Sequence, residues 1–338
     1  MNTTTIRQKV CFSFAACLIL LGMMASCTSN NDNNATNGEI RPRIGIAWRA
    51  DMTSTSYVST IKAIREAGCE PVLLPMLKCP ALDYDGEQLA AKHFDEHGIL
   101  LQEYADIIKR DTYKGIDIAA ILKGIDGLVF PGGEDVSPTL FRIPEPWHGI
   151  EADPSDARRD VSDYMLMAWC LEHDSLLVLC ICRGMQLLSI VSGATMIQDL
   201  GTFFDEQGKT YHYQHREEPV EGKTRDFAIH DVTVTDSSSL LRKIVGTDVI
   251  RDVPSWHHQA VRSVEGTPLK VTAITPTEGI DIIEAVERTD KRFIIGVQYH
   301  PEVAVVKHTD HVPGASNYMP YDEALCYFRA LKEMAINH

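Results

Sequence analysis

Residues 175–186 read SLLVLCICRGMQ, and this stretch decides the fold. Residues 175–181 form a short, mainly apolar run, which is typical of a strand buried on both faces of a parallel sheet. A helical pattern follows over 183–192, because its apolar residues recur at helical spacing. Cys182 therefore lies at a sharp turn from strand to helix, a geometry that lifts a side chain above the edge of a sheet.

The alternation of strand and helix extends in both directions from this turn. The predicted strands are 43–48, 70–74, 124–130, 229–234, 269–274, 281–286 and 293–298, and the main predicted helices are 55–67, 160–173 and 322–336. This pattern predicts an α/β fold with a doubly wound, mainly parallel sheet and an added antiparallel portion. Residues 81–123, with helical stretches at 87–97 and 100–110, form either a helical insertion near the site or a plain pair of packing helices.

Composition and charge exclude some classes of protein. The 338 residues are 44% hydrophobic and 23% charged, which is typical of a globular domain with a core. Lys and Arg number 32 against 47 Asp and Glu, giving a formal net charge of −15. This balance argues against a nucleic-acid partner, because such proteins need a basic surface to displace counterions from phosphates.

The first 27 residues have the pattern of an export signal. Arg7 and Lys9 precede an apolar run over 10–24, which is too short to span a membrane. The run leads into Met-Ala-Ser-Cys, which resembles the lipobox of bacterial lipoproteins and would make Cys27 the lipidated residue. An ordinary cleaved signal with a chance cysteine is the alternative. With lipidation, we expect an exported protein anchored by Cys27 in the periplasm or outer membrane of a Gram-negative bacterium.

The rest of the chain is expected to form a tether and one domain. Residues 28–40, rich in Asn, Thr and Ser, are predicted to be flexible, and residues 41–338 are predicted to fold. Six cysteines remain in the domain, and we expect most of them to be buried thiols because their density is below that of disulfide scaffolds. Neither a CxxC pair nor a histidine-rich cluster has metal-ligand spacing, so no metal site is predicted.

A second segment supplies the groups that a nucleophilic cysteine requires. The sequence GVQYHPE at 296–302 runs out of a predicted strand and delivers His300 and Glu302. A nucleophile needs a base, and the base needs a third group that fixes its tautomer. His300 and Glu302 meet both needs within three residues. Without this partner segment, Cys182 could equally be one more buried cysteine.

A third segment, PGGED at 131–135, follows the strand predicted at 124–130. Two consecutive glycines allow backbone N–H groups to face outward together, as an oxyanion hole requires. Taken alone, the segment would be read as an ordinary tight turn. Taken with the two segments above, it indicates donors for a tetrahedral intermediate.

Together these segments resemble the class I glutamine amidotransferase-like superfamily, and in particular its γ-glutamyl hydrolase branch, which includes γ-glutamyl-γ-aminobutyrate hydrolases. The resemblance covers about residues 43–335 and rests on PGGEDVSP (131–138), ARRD (157–160), CRGMQ (182–186), QDL (198–200), WHHQAV (256–261), IIEAVE (282–287) and GVQYHPE (296–302). It implies a flavodoxin-like α/β fold. The sequence departs from the family pattern at Cys180, where glycine is usual, at Ala194, where a second glycine is common, and at Asp163, where glutamate is frequent.

The resemblance also implies roles for residues. Cys182 is the nucleophile, His300 the general base and acid, and Glu302 its orienting partner. The oxyanion donors are the backbone N–H groups of Gly132 or Gly133 and Arg183. The implied reaction is hydrolysis of a small-molecule γ-glutamyl amide through a thioester, without a metal or organic cofactor.

Substrate contacts are predicted for Gln186, His257 and His258, with a structural turn as the alternative for the histidine pair. His212 and His215 are interpreted as surface loop residues. The leaving-group pocket is expected to include loops within 81–123 and 139–157. The main alternative function is a non-catalytic lipoprotein that binds γ-glutamyl ligands. An ammonia-supplying subunit is disfavoured, because we find an export signal and no synthase domain, and a homodimer is left open.

Overall fold

The computed structural model describes residues 40–148, 155–222 and 225–337. The predicted signal peptide at 1–27, its Cys27, and the tether up to residue 39 lie outside the described residues. Within the described ranges, no helix combines the length and the apolar character needed to cross a bilayer.

The described residues form thirteen strands and nine helices. The strands are β1 (Arg43–Ile46), β2 (Glu70–Leu73), β3 (Tyr84–Asp85), β4 (Gln88–Leu89), β5 (Gly127–Phe130), β6 (Leu177–Ile181), β7 (Thr195–Ile197), β8 (Ala228–Val234), β9 (Val249–Ser255), β10 (Ala260–Ser263), β11 (Leu269–Thr277), β12 (Ile280–Arg288) and β13 (Ile294–Val297). The helices are α1 (Thr55–Glu66), α2 (Gln102–Asp111), α3 (Ile118–Ile121), α4 (Ala157–Glu172), α5 (Arg183–Val191), α6 (Leu200–Glu206), α7 (Leu240–Val245), α8 (Pro301–Thr309) and α9 (Tyr321–Ile336).

Nine strands form one mixed sheet in the order β2-β1-β5-β6-β13-β12-β11-β8-β9. The first five are parallel to one another, and the remaining four continue the sheet antiparallel. Numbered in chain order, the parallel strands run 2-1-3-4-5, which is the flavodoxin-like order. The predicted doubly wound α/β fold with an added antiparallel portion is therefore confirmed.

Helices cover both faces of the sheet and create two apolar layers. One layer packs α4 and α5 against the sheet with buried side chains such as Met165 and Leu187. The other packs α1, α8 and α9 with residues such as Ile64 and Phe328. Burial of each side chain of this size contributes about 1.5–3 kcal/mol to the free energy of unfolding, so the sheet is a rigid support. The six cysteines of the described residues are free thiols and five are buried, as predicted.

The carboxyl ends of β1, β5, β6 and β13 lie at one edge of the sheet. Between β6 and β13, Ile181 is paired with Val297, and the Cys182 N–H donates to the Val297 carbonyl at 2.7 Å. Ligands of open α/β sheets bind at this edge, beside the point where the strand order reverses. Three predicted site segments leave the sheet here, after β5, β6 and β13.

One prediction about secondary structure is wrong, and one strand of the nine-stranded sheet is not predicted. The stretch 87–97 is not helical, because β3 and β4 form a hairpin around Gly86, whose φ of +56° favours glycine, and a 3₁₀ turn follows at Ala91–His93. The helix predicted at 100–110 is confirmed as α2. Strand β9 is not predicted, because its sequence VIRDVPS contains two charged residues and a proline that hide the strand pattern.

Candidate active site

Cys182 occupies a strained turn between β6 and α5. Its φ of 51° and ψ of −108° lie in a region that residues other than glycine seldom adopt, at a cost of about 1–3 kcal/mol. The following turn of α5 approaches β5 closely, since a Cβ on Gly184 would lie 2.2 Å from the Phe130 carbonyl oxygen. Gly184 is therefore required by this contact. The surrounding fold holds the sulfur at the sheet edge.

His300 and Glu302 lie at the beginning of α8, directly after β13. His300 caps the helix, and its Nδ1 lies 2.7 Å from Oε1 of the fully buried Glu302. A carboxylate can only accept, so Nδ1 carries the proton and Nε2 faces away from Glu302. Burial alone would lower the pKa of His300, but the Glu302 carboxylate and the Cys182 sulfur outweigh it and raise the pKa to about 10.

The double glycine after β5 brings the three segments together. A Cβ on Gly132 would lie 2.8 Å from His300 Cε1 and 3.4 Å from Cys182 Cβ. Gly133 has a φ of +150°, and a Cβ there would lie 1.9 Å from Nη1 of Arg159. Both positions are therefore closed to larger residues. Residues that the sequence predicts to act together, from three distant segments, thus lie side by side.

A buried ionic network supports this arrangement. The guanidinium of Arg183 donates to Asp160 and Asp163, each at 2.6 Å. The guanidinium of Arg159 donates to Asp163 at 3.2 Å and to Glu134 at 2.7 Å. The network joins the loop after β5 to α4 and to the first turn of α5. Breaking one partner would leave a charge buried without compensation, at a cost of about 3–5 kcal/mol. Asp163, a departure from the family pattern, retains these support contacts.

A cavity of about 750 Å³ lies over this edge of the sheet. Cys182 and His300 line it, and each is only 4% exposed. The rim includes exposed residues such as Asp226 and Val312, so the cavity reaches solvent. The three residues predicted to contact substrate, Gln186, His257 and His258, also line the cavity.

Two of those three residues share one acceptor. Gln186 Nε2 donates to the Gln259 carbonyl at 3.1 Å, and His257 Nδ1 lies 2.8 Å from the same oxygen. Gln186 also lies near Gln298, whose Nε2 is 3.5 Å from Cys182 Sγ. These contacts fix the floor of the cavity beside the sulfur. The alternative reading of His257 as a structural residue of the segment is thus compatible with the geometry.

His258 lies between two carboxylates. Its Nε2 is 3.1 Å from Asp135 and its Nδ1 is 3.2 Å from Asp199. Burial alone would lower its pKa, but the hydrogen bonds to the two carboxylates outweigh burial and raise the pKa of His258 to about 9. His258 therefore supplies a positive charge to the cavity wall at neutral pH.

The sequence did not indicate the aromatic and cationic wall of the cavity. The Phe227 ring packs edge-on against the His300 ring at 5.3 Å between centroids. The guanidinium of Arg216 lies 5.3 Å from the centre of the Trp256 ring. Arg49 also lines the cavity. Only its place directly after β1, at the ligand-binding edge, could have indicated it from the sequence.

The described parts of the predicted leaving-group loops do not line the cavity. Among the described residues of 81–123 and 139–157, none lines the cavity. One wall of the cavity is formed instead by parts of 216–227 and 256–259 together with α8. For the described residues of 81–123 and 139–157, the expectation is therefore wrong. Insertion length is a poor guide here, because β4 and α2 of the first stretch pack against α4.

A group of buried histidines lies behind this wall. His215, interpreted as a surface residue, is fully buried, whereas the side chain of His212 is 63% exposed. One ligand atom from each of His215, His230, His257 and Glu284 lies within 4.8 Å of the others. Burial lowers the pKa of His215 and of His230. The sequence did not indicate this cluster because its four members come from four separate segments.

Comparison with known proteins now assigns the family. A model of the family described as Peptidase C26 matches residues 107–302, more than half of the chain, and the match spans Cys182, His300 and Glu302. The chain belongs to the Peptidase C26 family. The resemblance to the glutamine amidotransferase-like superfamily is confirmed at this level.

Relatives of this Peptidase C26 member carry several names. Protein NtpR of Enterococcus hirae is 31% identical over 185 residues, which cover 55% of this chain and 70% of that protein. The γ-glutamyl-γ-aminobutyrate hydrolase PuuD of Escherichia coli K12 is 30% identical over 184 residues, which cover 54% of this chain and 66% of that protein. A glutamine amidotransferase structure from Thermotoga maritima matches with a TM-score of 0.45 and 13% identity, over 88% of this chain and 97% of that one.

Proposed function

We propose that this protein hydrolyses γ-glutamyl amides, such as γ-glutamyl-γ-aminobutyrate or related γ-glutamyl peptides. One observation carries the proposal: His300, held by Glu302, meets Cys182 across Gly132 within a cavity that reaches solvent. The family and the activity named for the Escherichia coli relative support the same substrate class.

In the first half of the reaction, the proton shared by Cys182 and His300 lies on His300 Nε2, because the pKa of His300 is raised to about 10, and the Cys182 sulfur attacks the γ-carbonyl carbon. The imidazolium formed is stabilised by Glu302, because that carboxylate raises the pKa of His300. The oxyanion accepts hydrogen bonds from backbone N–H groups of Gly132 or Gly133 and of Arg183. Arg183 is the first residue of α5, where N–H groups lack helical partners. His300 then protonates the leaving nitrogen, and the C–N bond breaks.

In the second half, water hydrolyses the thioester. His300 Nε2 takes a proton from the water as its oxygen attacks the acyl carbon. The C–S bond breaks, the sulfur recovers the proton, and glutamate leaves. The cavity therefore needs space for the amine and then for water, and about 750 Å³ provides it.

The charges around the cavity suit a glutamyl group. This group carries an α-carboxylate and an α-ammonium, so its recognition requires both signs of charge. His258 and Arg216 supply positive charge to the wall, while Glu134 and Asp226 supply carboxylates. The aromatic side near Phe227 suits the aliphatic part of a leaving amine. We propose that Gln186 orients the γ-carbonyl beside Cys182.

A substrate panel tests the proposal directly. The purified full chain is incubated with γ-glutamyl-γ-aminobutyrate, a γ-glutamyl anilide, glutamine and an α-linked glutamyl dipeptide, and released glutamate is measured. We expect kcat/KM for the best γ-linked substrate to exceed that for the α-linked dipeptide by at least about 100-fold, because the mismatch leaves buried polar groups unpaired. Tight binding of γ-linked compounds without any release of glutamate would instead support the non-catalytic alternative.

Replacing Glu302 with glutamine is expected to move the pH dependence of the reaction. Glutamine can still accept from Nδ1 but lacks the charge that raises the pKa of His300. The leaving amine requires a protonated His300, so kcat/KM should fall as pH rises through the pKa of His300. We expect this alkaline limb, near pH 10 in the native protein, to shift downward by at least about one unit in E302Q. The matched control is E287Q, since Glu287 lies on β12 and accepts from Leu240 N. An unchanged limb in E302Q would contradict the assigned role.

We further propose that the protein is an exported lipoprotein. The proposal rests on the charged start, the apolar run and the cysteine at position 27. Wild-type protein should be recovered with the membrane fraction, while C27S should be released into the soluble fraction. Fractionation followed by immunoblotting measures this, with C326S as the matched control. Recovery of both proteins in the soluble fraction would contradict lipidation.

A further inference from the structure

We propose that His215, His230, His257 and Glu284 form a binding site for a divalent transition metal, with zinc as the best fit, and that this metal holds the wall of the cavity in place. The site is separate from the sulfur and the imidazole of the proposed reaction. It does not depend on the proposed hydrolase activity.

The four side chains converge on one point in the protein interior. Glu284 Oε1 lies 3.1 Å from His215 Nδ1, 3.7 Å from His257 Nε2 and 3.9 Å from His230 Nε2. The side chains of His215 and Glu284 are fully buried, and those of His257 and His230 are 1% and 7% exposed. Buried polar groups on this scale need a partner that compensates for lost hydration.

Within the described residues, the converging atoms have no hydrogen-bond partners. This holds for both carboxylate oxygens of Glu284 and for the facing nitrogens of His215, His230 and His257. His215 Nδ1 is close to Glu284 Oε1, but the pair does not have hydrogen-bond geometry. Buried polar atoms without a hydrogen-bond partner are rare in folded proteins. Five such atoms around one point therefore indicate that a ligand binds between them.

The outer nitrogens of two histidines show which tautomers are present. His257 Nδ1 lies 2.8 Å from the Gln259 carbonyl, and His230 Nδ1 lies 3.2 Å from the Asp231 carbonyl. A carbonyl can only accept, and the Thr275 hydroxyl, 3.2 Å from His230 Nδ1, donates its proton to the Asp231 carbonyl, so both Nδ1 atoms carry protons. In a neutral imidazole, the opposite nitrogen then carries a lone pair and no proton. Each Nε2 lone pair faces the carboxylate of Glu284, which is repulsive unless a cation lies between them.

His215 is oriented the other way round, with its Nδ1 facing Glu284 and its Nε2 as the outer nitrogen. Its Nε2 lies 2.8 Å from the Thr277 hydroxyl, which itself donates to the Thr275 carbonyl. The hydroxyl therefore accepts from Nε2, which leaves the Nδ1 lone pair toward Glu284. Metal-ligating histidines commonly donate their second N–H to an oxygen in this way.

The donor set selects the class of metal. Three imidazoles and one carboxylate suit zinc and its neighbours, whereas calcium and magnesium prefer oxygen ligands alone. Zinc–nitrogen bonds of about 2.0–2.1 Å place tetrahedral ligands about 3.3 Å apart. The ligand atoms all lie within 4.8 Å of one another, and His215 Nδ1 lies 3.1 Å from Glu284 Oε1, so small side-chain shifts close the site. Four protein ligands complete the coordination shell, which is typical of a structural metal.

The position of the site explains what the metal would do. Its ligands join β8, β12, the segment before β8 and the segment after β9, and the last two segments also form the cavity wall. Glu284 is coupled to the sulfur as well, because its carbonyl accepts from Gln298 N at 2.8 Å while Gln298 Nε2 lies 3.5 Å from Cys182 Sγ. A metal here would position the wall residues without touching the substrate.

Metal analysis of purified full chain tests the proposal. Wild-type protein from zinc-supplemented cells should retain about one equivalent of metal after dialysis, while E284Q and H230Q should retain less than about 0.1. H212Q is the matched control, because His212 is an exposed histidine three residues before His215. C182A should also retain one equivalent, which excludes binding through the thiolate. Equal metal content in wild type, E284Q and H230Q would place the metal elsewhere and overturn the proposal.

A second measurement applies if the ligand variants fail to fold. Wild-type protein is stripped with a chelator, and zinc or cobalt(II) is added back. Zinc at about 1,000 times its Kd should raise Tm by about 5–10 °C, and cobalt(II) should give the visible absorption of a tetrahedral complex. An unchanged Tm together with less than about 0.1 equivalent bound would show that the cluster holds no metal, and would overturn the proposal.

Discussion

Replacement of Cys182 with alanine is expected to reduce hydrolysis of γ-glutamyl amides by at least about 10⁴-fold. The thioester cannot form without the sulfur, and the remaining donors only polarise the carbonyl. Losses of this size accompany removal of a covalent nucleophile, because the other groups of the site act through it. The rate of glutamate release measures the effect. Binding of glutamate should persist, since Cys182 contributes little to recognition.

Cys180 provides the control for this variant. It lies two residues earlier in β6, is fully buried, and burial raises the pKa of its thiol well above the usual range. C180A should keep activity within about tenfold while losing stability, because it leaves a small void in the core. Residual activity of C182A above about 0.01% of wild type, or a loss of more than about tenfold in C180A, would contradict the assignment.

Replacement of His300 with alanine is the second large effect, with an expected loss of at least about 10³-fold in kcat. The imidazole acts twice, as the acid that protonates the leaving nitrogen and as the base that activates water. General acid–base catalysis alone contributes about 10²–10⁴-fold per proton transfer. Substrates with good leaving groups should be less affected in the first step, because their nitrogen needs less protonation. Burst-phase kinetics with a γ-glutamyl anilide can separate the two steps.

H308Q is the matched control for H300A. His308 lies on the same helix, and its Nε2 contacts the Met319 carbonyl at 3.0 Å, away from the sulfur. We expect H308Q to retain most of the activity. Equal losses in the two variants would attribute the effect to disruption of α8, and wild-type rates in H300A would remove His300 from the mechanism.

The sequence was informative where function depends on short segments. Cys182, His300 and the double glycine each follow a strand of the parallel sheet. Parallel strands end at a common edge of the sheet. Predicting the three strands therefore also predicts that the residues directly after them lie close together. The same reasoning did not place Arg49, because a single arginine after a strand forms no motif.

The rest of the site depends on contacts between distant segments. His215, His230 and His257 are separated along the chain and meet only because β8 and β9 pair with the antiparallel part of the sheet. Strand β9 itself was not predicted, so its neighbours could not be placed. The prediction that the long loops form the pocket is also wrong for their described residues, since the cavity wall comes from short segments before β8 and after β9 together with α8.

Covalent labelling tests most directly whether Cys182 is the nucleophile that meets a γ-glutamyl carbonyl. The full chain is treated with a glutamine-like electrophile, and the modified peptide is identified by mass spectrometry. We predict one equivalent of label on Cys182, protection by a γ-glutamyl substrate, and loss of labelling in C182A. Label on Cys180, or full hydrolytic activity in protein whose Cys182 is completely modified, would contradict the account.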